Sequence, residues 1–578
     1  MANVRYELVY AAVNKSFALI DCNIHNNPEK QSEFMRQTVL TDKSLSEDEK
    51  LEAIKLINKT SDYASILYNS GTKRICENCQ EECLAKLYCE YCIRNYLKAN
   101  FTHWTSKNDD INDLLKTCQM ETVKPNKIIE WIQYDKLQNI QYLTKGGCSE
   151  IYTADWLDGP YDEWDNQEQQ LFRNGATKVI LKKLENVENA NRSWFDECKS
   201  HFTISTKWDS IVKCYGLTKD PLDENYMLVM EQMDMDLRKY LQQNYHKITW
   251  KKRIEIAYYI IDALSQIHDE NAIHRDLHSG NILFLQIDQF INISDLGFCG
   301  PADRPLNSIY GNLPYIAPEV IAGKETTFNS DIYSIAMLMW EISSGQPPFI
   351  NFEHDCDLAL KIINGMRPRV IPRTPLEYKK LMEQCWDADP TKRPDINHLK
   401  LKIRELCRLY YQNEDNEPQI NNNILVTNYA KSNSINSLIS NFSKVHIFKD
   451  LPEPRNATEE EQQAYHSLQL SLSIPDKIGD IISEQSERQA KQNNFTITDN
   501  KNETKGKSKR IYSEDEKEDL VTDNNKSKKI KLNSNKVEFQ YMQRNYFVNN
   551  DVEDDETFNN PNFHSEDQDE LEIPEDGF

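Results

Sequence analysis

The sequence lacks an excess of positive charge. Its 578 residues include 68 lysines and arginines against 92 aspartates and glutamates, which gives a formal net charge of −24. Binding to nucleic acid or to an anionic membrane surface requires clustered Lys and Arg side chains. The composition therefore predicts a protein whose partners include no nucleic acid and no membrane.

Long apolar runs are absent as well. No uninterrupted stretch reaches the roughly 18 apolar residues of a transmembrane helix, and the first residues, MANVRYELVYAAVNKSFALID, lack the basic-then-apolar pattern of a signal peptide. The 14 cysteines are too few for a disulfide scaffold of this length. We expect a cytoplasmic protein, with nuclear import as an alternative, whose cysteines are free thiols or metal ligands.

Composition divides the chain into four segments. Residues 1–70 predict a helical or irregular segment, in which Ser46 and Glu49 form a capping box. Residues 71–130 hold a cysteine cluster and a helix. Residues 136–407 are dense in apolar periodicity, with strand patterns first and helix patterns later, and the polar stretch between Ile151 and Val179 predicts a projecting surface insertion. Residues 413–578 have few apolar residues and predict a mostly disordered acidic tail, whose clusters KGKSKR and KSKKIK are solvated charge runs or an import signal.

The segment AIHRDLHSGNILF carries the strongest chemical signal. Its residues His274, Arg275, Asp276 and Asn281 match H-R-D-L-x-x-x-N, in which the Asp accepts the proton of an attacking hydroxyl and the Asn binds a metal ion. Asp295, in SDLG, matches a variant of D-F-G and adds a second metal-binding carboxylate. Together these groups predict phosphoryl transfer.

With the Ala-Pro-Glu of YGNLPYIAPEV, these motifs make residues 136–407 resemble a eukaryotic protein kinase of the tyrosine-kinase-like group. Within that group the chain most resembles the expanded family of arbuscular mycorrhizal fungi, with which it shares IEWIQYDKLQNIQYL, HSGNIL and WEISSGQPPF. The resemblance implies an α+β, two-lobed protein-kinase fold, with a small β-rich N-lobe and a larger helical C-lobe. It also implies ATP and Mg²⁺ in the cleft and transfer of the γ-phosphate to hydroxyls of protein substrates in intracellular signalling.

The same resemblance assigns the other site residues by motif. Lys182, in VILKKL, corresponds to the lysine that contacts the α- and β-phosphates, and Glu197 on the next helix would hold it. Asp331 would support the catalytic loop, and Arg393 would pair with Glu319. The ATP-binding residues besides Lys182 would be Leu143, Thr144, Gly146, Gly147, Ser149, Ile151, Ile180, Met230, Glu231, Met233 and Leu283.

Three of these positions depart from the kinase pattern. Thr144 and Ser149 replace two glycines of the phosphate-binding loop, and Ile180 replaces an alanine beside the adenine. Backbone amides bind the phosphates, so a loop of small residues still serves. The alternatives are a pseudokinase scaffold that binds nucleotide weakly and acts through protein contacts, or a chain whose function lies in the cysteine module and the tail.

Substrate specificity and regulation rest on fewer residues. His278 and Asn312 stand where serine/threonine kinases usually have Lys and Thr, and the tyrosine-kinase patterns are missing too. Tyr315 and the resemblance favour Ser/Thr. Arg275 predicts regulation by phosphorylation of the activation segment, because it could pair with a phosphate on Ser308 or Tyr310.

The cysteine cluster has the spacing C-x2-C-x9-C-x2-C through Cys76, Cys79, Cys89 and Cys92. Two such pairs offer four thiolates, which suit a closed structural Zn²⁺ site. Cys83 is a substitute for a neighbouring ligand, and reduced cysteines without metal are the alternative. A zinc module here would contact protein partners or act as a spacer.

Overall fold

The computed structural model describes residues 4–145, 149–184, 194–286, 290–301, 309–412, 443–448 and 451–472. The chain begins with three packed helices, α1 (Tyr6–Ala18), α2 (Pro28–Thr41) and α3 (Glu47–Leu67). The predicted capping box starts α3, because Ser46 accepts a bond from the Glu49 N–H and Glu49 accepts one from the Ser46 N–H. These helices share a small core that contains Val9, Val39 and Ile57.

The cysteine-rich segment folds into two short strands and two helices. Its elements are β1 (Arg74–Ile75), β2 (Glu82–Cys83), α4 (Glu90–Ala99) and α5 (Asp109–Met120). The side chain of Asn108 caps the start of α5, and Ile111 and Leu115 on its buried face pack into the core of the following lobe. The predicted helix therefore contributes to the N-lobe as well as to its own segment.

A six-stranded sheet forms the N-lobe. The elements of this lobe in chain order are β3 (Glu130–Trp131), β4 (Leu137–Lys145), β5 (Glu150–Trp156), β6 (Tyr161–Asp165), β7 (Gln170–Arg173), β8 (Thr177–Lys183), α6 (Trp194–Lys207), β9 (Cys214–Lys219) and β10 (Tyr226–Glu231). The order in the sheet is β3-β9-β10-β8-β5-β4, and β6 and β7 form a separate hairpin. On β8, Val179 and Leu181 are buried and Ile180 between them is half-buried, whereas all four residues from Met227 to Met230 on β10 are buried, as a central strand covered on both faces requires.

The β6–β7 hairpin corrects the expectation of a projecting insertion. Trp164 and Leu171 on this hairpin are buried against the cysteine module, within one apolar cluster that includes Cys89 and Ile93. The side chain of Asn78 in the module also donates to Gln169 in the hairpin. The insertion thus joins the N-lobe sheet to the cysteine module.

The C-lobe is mainly helical. Its elements are β11 (Met235–Asp236), α7 (Leu237–Asn244), α8 (Trp250–Asp269), β12 (Ala272–Ile273), β13 (Ile282–Phe284), β14 (Ile291–Ile293), β15 (Gly300–Pro301), β16 (Ile309–Gly311), α9 (Pro318–Ile321), α10 (Phe328–Ser344), α11 (Cys356–Ile363), α12 (Leu376–Cys385) and α13 (Ile396–Gln412). Helix α8 is apolar nearly all round and lies in the core of the lobe, as its sequence predicts. A small β-rich lobe followed by a larger helical lobe is the predicted fold class.

Two segments of the tail are ordered on the C-lobe, which the sequence did not predict. Strand β17 (Lys444–His446) pairs with β16, and α14 (Glu459–Leu472) follows it. The prediction of a disordered tail concerns mainly residues 413–442, 449–450 and 473–578, and these lie outside the described residues, as do both basic clusters. In the part of the chain that the structure describes, no helix combines the length and apolar character needed to cross a bilayer.

Candidate active site

Lys182 lies between two carboxylates in the cleft that separates the lobes. Its Nζ atom is 2.7 Å from Oε1 of Glu197 on α6 and 2.6 Å from Oδ1 of Asp295. Strand β8 fixes this position, since Lys182 faces Ile151 on β5 and Leu228 on β10 in the sheet register. The lysine is only 5 % exposed. A buried charge is costly unless it is paired, and these two acidic groups compensate it.

The catalytic loop takes its shape from Asp331 at the start of α10. One carboxylate oxygen of Asp331 accepts the His274 N–H at 2.8 Å and the other accepts the Arg275 N–H at 3.0 Å. Arg275 has a left-handed backbone, with φ of +69°, which a non-glycine residue adopts only when its surroundings hold it there. Asp331 therefore has the supporting position that the resemblance implies.

Asp276 and Asn281 meet at the end of this loop. The Asn281 amide nitrogen donates to the backbone carbonyl of Asp276 at 2.8 Å, so this bond does not occupy the amide oxygen. Burial raises the pKa of Asp276 to about 7; a bond from Ser443 opposes that shift and the charge of Asp295 adds to it. Asp276 is thus a carboxyl group whose proton affinity lies near neutrality.

The residues predicted to bind adenine line the sheet side of the cleft. In the register of the sheet, Ile180 lies opposite Thr153 on β5 and opposite Met230 on β10. Ile180 and Leu283 are half-buried and both pack against the N-lobe core. The Glu231 N–H donates to the Lys213 carbonyl, so Glu231 has only its carbonyl, beside the Met233 backbone, to offer an adenine edge.

The predicted phosphate-binding loop is the connection between β4 and β5. Thr144 pairs with Ile151 and Lys145 with Glu150, so β4 and β5 stay paired up to the two ends of this connection. Leu143 and Thr144 are exposed and Ser149 is buried. Gly146 and Gly147 lie outside the described residues.

A group of buried polar side chains around Glu341 supports the catalytic loop. The Tyr315 hydroxyl donates to Glu341, whose other oxygen accepts the Ser279 hydroxyl at 2.9 Å. Arg238 lies 3.4 Å from the same carboxylate. Tyr315 therefore supports the catalytic loop from a buried position. In the sequence this residue also favours Ser/Thr specificity.

The predicted regulatory residues differ in their surroundings. Tyr310 is buried on β16, with its ring stacked on Phe298 at a centroid distance of 3.7 Å. The Arg275 guanidinium donates to the Phe298 carbonyl at 3.0 Å and to Thr326 Oγ1 at 3.1 Å. Ser308 lies outside the described residues.

Ser443 from the tail is the site residue that sequence reasoning missed. Its hydroxyl lies 2.7 Å from Asp276 Oδ1 and 3.0 Å from His278 Nε2. Nothing in its neighbourhood, SNFSKVHIF, matches a kinase motif. The only signal in the sequence is the short run Val445, His446 and Phe448, which stands out in a polar tail and is compatible with a short strand.

The cysteine module contains a compact four-sulfur group. The Sγ atoms of Cys76, Cys79, Cys89 and Cys92 all lie within 4.8 Å of one another, and both the Cys76–Cys92 and the Cys79–Cys89 pairs are 3.6 Å apart. Four sulfurs at Zn–S distances of about 2.3 Å stand about 3.8 Å apart in a tetrahedron, so the group fits Zn²⁺. Cys83 groups instead with Cys89 and Glu90. All described cysteines are free of disulfide bonds.

Comparison with known proteins agrees with this geometry. A family model described as "Protein tyrosine and serine/threonine kinase" matches residues 137–403. The chain is 32% identical over 212 residues to a "Dual serine/threonine and tyrosine protein kinase" of Mus musculus, which is 35% of this chain and 22% of that protein. It is 25% identical over 300 residues to "Probable serine/threonine-protein kinase pats1" of Dictyostelium discoideum, which is 48% of this chain and 9% of that protein.

The chain therefore spans less than a quarter of the length of these two relatives. The fold, the position of the paired carboxylates around Lys182 and the match over residues 137–403 lead to one conclusion. Residues 137–403 of this chain are a eukaryotic protein kinase domain.

Proposed function

We propose that the chain is an ATP- and Mg²⁺-dependent protein kinase that transfers the γ-phosphate to serine or threonine hydroxyls of proteins. The observation that carries the proposal is the position of Lys182 within 2.7 Å of Glu197 and 2.6 Å of Asp295. Phosphoryl transfer depends mainly on positioning and on neutralising charge. A lysine held at this point contacts the phosphates of a nucleotide in the cleft.

Each of the chain's own groups has a distinct role in this proposal. Asp276 orients the attacking hydroxyl and accepts its proton, and Glu197 keeps Lys182 in place. Asn281 and Asp295 would hold Mg²⁺, whose preferred ligands are such hard oxygen atoms. Bound there, Mg²⁺ would neutralise part of the charge of the phosphates.

The pseudokinase alternative is not favoured. A decayed kinase loses one of the groups that position or neutralise the phosphates, and this chain retains Lys182, Glu197, Asp276, Asn281 and Asp295 around one cleft. The altered positions, Thr144, Ser149 and Ile180, are ones that shape the nucleotide pocket. They are expected to affect nucleotide affinity more than the transfer step.

The finer assignment to the tyrosine-kinase-like group and to the fungal family also belongs to this proposal. Its support is the shared sequence around the catalytic loop and α10. The relatives are named as serine/threonine and as dual serine/threonine and tyrosine kinases, which agrees with Ser/Thr transfer. Regulation through Ser308 or Tyr310 stays part of the proposal, although Tyr310 would first have to leave its stacked position on Phe298.

A transfer assay with labelled ATP tests the enzyme. Purified full-length protein should phosphorylate a generic seryl protein substrate, and Asp276→Asn should lower the rate by about 100-fold or more because the proton acceptor is lost. Asp48→Asn, an exposed acidic residue on α3, is the matched control and should leave the rate unchanged. Equal, negligible transfer by all three proteins would contradict the proposal.

We further propose that Cys76, Cys79, Cys89 and Cys92 hold a structural Zn²⁺, and that the module contacts protein partners in the cytoplasm or the nucleus. Burial raises the pKa of Cys76, but bonds from the Cys79 and Asn78 N–H groups outweigh it and lower the pKa to about 7. Metal analysis of gently purified protein should find about one zinc per chain. Cys79→Ser should lose it, whereas Cys356→Ser, at an exposed cysteine of the C-lobe, should keep it.

A further inference from the structure

The tail places a serine hydroxyl at the catalytic carboxylate. Ser443 is 7 % exposed, and its Oγ lies 2.7 Å from Asp276 Oδ1 and 3.0 Å from His278 Nε2. This is the position in which a kinase needs the hydroxyl of its substrate, because the general base must be within hydrogen-bond reach of the proton that it removes.

The hydrogen bonds around Ser443 orient its proton. The Gly280 N–H donates to His278 Nδ1 at 3.0 Å, so Nδ1 carries no proton in the neutral imidazole and Nε2 does. Nε2–H therefore donates to Ser443 Oγ. The single proton of the Ser443 hydroxyl then points at Asp276, which is the direction of transfer to a base.

The residues after Ser443 bind as an added strand. Strand β17 pairs antiparallel with β16 of the activation segment, with Lys444 opposite Gly311, Val445 opposite Tyr310 and His446 opposite Ile309. His446 is buried and bonds to the Gly311 carbonyl at 3.1 Å. Addition of an extended segment to a strand edge is a common mode of peptide recognition, in which the main chain gives affinity and the side chains give specificity.

A second contact holds the tail beyond this strand. The Asn456 side chain accepts the Ala388 N–H and donates to Asp387, both at 2.9 Å. The Arg455 N–H donates to the Ile363 carbonyl at 3.0 Å, and His466 on α14 lies 3.2 Å from the Arg367 carbonyl. With residues 451–472 held on the C-lobe, the Ser443 segment has a high effective concentration at the cleft.

We propose that Ser443 is a phosphoacceptor of this chain's own kinase domain, modified within the same molecule; this inference rests on the proposed kinase activity. Ser443 Oγ forms a bond to the γ-phosphorus of ATP while the bond from that phosphorus to the β,γ-bridging oxygen breaks. ADP leaves with the electron pair of the broken bond, and the hydroxyl proton passes to the Asp276 carboxylate. The product is phosphoserine 443.

The same geometry defines the substrate class of the site. The backbone at Ser443 lies so close to Asp276 that the short serine side chain, with one carbon between Cα and the hydroxyl oxygen, reaches the carboxylate. A tyrosine hydroxyl lies a whole aromatic ring farther from its Cα and would not fit this strand position. The site therefore selects seryl or threonyl peptides that bind β16 as a strand, with a buried residue three positions after the acceptor, as His446 is here.

Phosphopeptide mass spectrometry after incubation with Mg-ATP tests the inference. Full-length protein should gain phosphate on Ser443 with a rate constant independent of protein concentration, and Asp276→Asn should gain none. Ser443→Thr should remain a substrate and Ser443→Tyr should not. Ser467→Ala, at an exposed serine of α14, should leave labelling of Ser443 unchanged.

Two negative results are distinguishable. If the wild type and Ser443→Ala both phosphorylate a generic seryl protein while Ser443 stays unlabelled in the wild type, the phosphoacceptor assignment is overturned and the kinase activity stands. If neither protein transfers phosphate to any acceptor, the proposed activity fails and this inference fails with it. A rate constant that rises in proportion to protein concentration would overturn modification within one molecule.

Discussion

Arg393 and Glu319 form a two-point ion pair inside the C-lobe. The two terminal nitrogens of the guanidinium each lie 2.7 Å from one carboxylate oxygen, and the side chains are 0 % and 5 % exposed. Glu319 belongs to the Ala-Pro-Glu motif at the end of the activation segment. The pair therefore fixes that segment to the loop before α13.

Arg393→Ala is expected to lower the free energy of unfolding by about 3–5 kcal/mol, because it leaves the Glu319 charge buried without compensation. Chemical denaturation of the full-length protein measures the change. The neighbouring Lys392, whose side chain is 64 % exposed, supplies the control, since Lys392→Ala should alter the free energy by no more than about 0.5 kcal/mol. Similar small losses in both variants would show that the ion pair contributes little.

Lys182 and Lys183 are adjacent in sequence but have opposite environments. Lys182 contacts Glu197 and Asp295 in the cleft, whereas Lys183 contacts Asp223 at 2.7 Å on the outer side of the sheet. Lys182→Met should lower kcat/KM by about 100-fold or more, because a preorganised charge is lost from the phosphate site. Lys183→Met should keep activity within a small factor. Comparable losses in the two variants would contradict the assigned register.

Removal of the proposed zinc should destabilise the N-lobe insertion. Trp164 and Leu171 on the β6–β7 hairpin pack into the apolar cluster that includes the cysteines, and a structural zinc site contributes folding free energy to its module. Chelation should therefore increase amide exchange in residues 161–173, while α10 in the C-lobe core remains protected. Unchanged exchange in the hairpin after complete metal loss would show that the module is stable without metal.

Docking of β17 should weaken in mild acid. Burial lowers the pKa of His446, and burial, Lys444 and His446 lower the pKa of His354 to about 4. Because both pKa values lie below the ordinary value of about 6.5, the undocked state binds more protons. Docking is complete above about pH 6.5 and is lost as the pH falls toward the docked-state values.

Amide protection factors for residues 444–446, corrected for intrinsic exchange, should therefore fall between about pH 7.5 and about pH 5.5. The groups facing His446 are the Gly311 carbonyl, Lys444, His354 and the Phe448 ring. A double variant with His446→Gln and His354→Gln keeps polar side chains without these two titrations and should show a shallower profile, while Asp276, which Ser443 contacts and whose pKa is about 7, titrates in both proteins. A wild-type profile no steeper than that of the double variant would refute the pH dependence assigned to the two histidines.

A substitution at Gly365 should disturb the docked tail and leave the cleft unchanged. A Cβ at this position would lie 2.1 Å from the Ala457 nitrogen and 2.7 Å from the Arg455 carbonyl oxygen, in a backbone with φ of +91°. Gly365→Ala should therefore displace residues 455–457 and slow the labelling of Ser443. Gly323 has a similar φ of +88° with nothing within 4 Å of a Cβ, so Gly323→Ala adds about 1–2 kcal/mol of backbone strain but should leave the labelling unchanged.

Motif spacing predicted the groups around Lys182 because two local features place them. These are the register of β8, which holds Lys182, and the first turn of α6, which holds Glu197. The motifs contain Lys182, Asp276 and Asp295 in fixed relation to strands and turns, and the structure brings Lys182 and Asp295 together across 113 positions of sequence. The contacts of Ser443 were not predictable in the same way. They depend on three paired residues of β17 and on a few single hydrogen bonds, and these leave no periodic signal in a polar tail.

The packing of the insertion escapes prediction for a related reason. Its composition is polar, and only Trp164 and Leu171 mark the side that packs on the cysteine module. Two apolar residues in a charged segment do not predict which surface of the protein they will pack against. The prediction from composition failed because the partner surface belongs to a different part of the chain.

The segment before the kinase domain contacts both lobes. Asp21 pairs with Arg408 on α13 of the C-lobe at 2.8 Å, and Lys59 on α3 pairs with Glu163 in the N-lobe insertion at 2.7 Å. The connector after β10 is therefore not the sole mechanical link between the lobes. Any widening of the cleft that admits or releases nucleotide must either break one of these two ion pairs or change the arrangement of the helices α2 and α3 that lie between them.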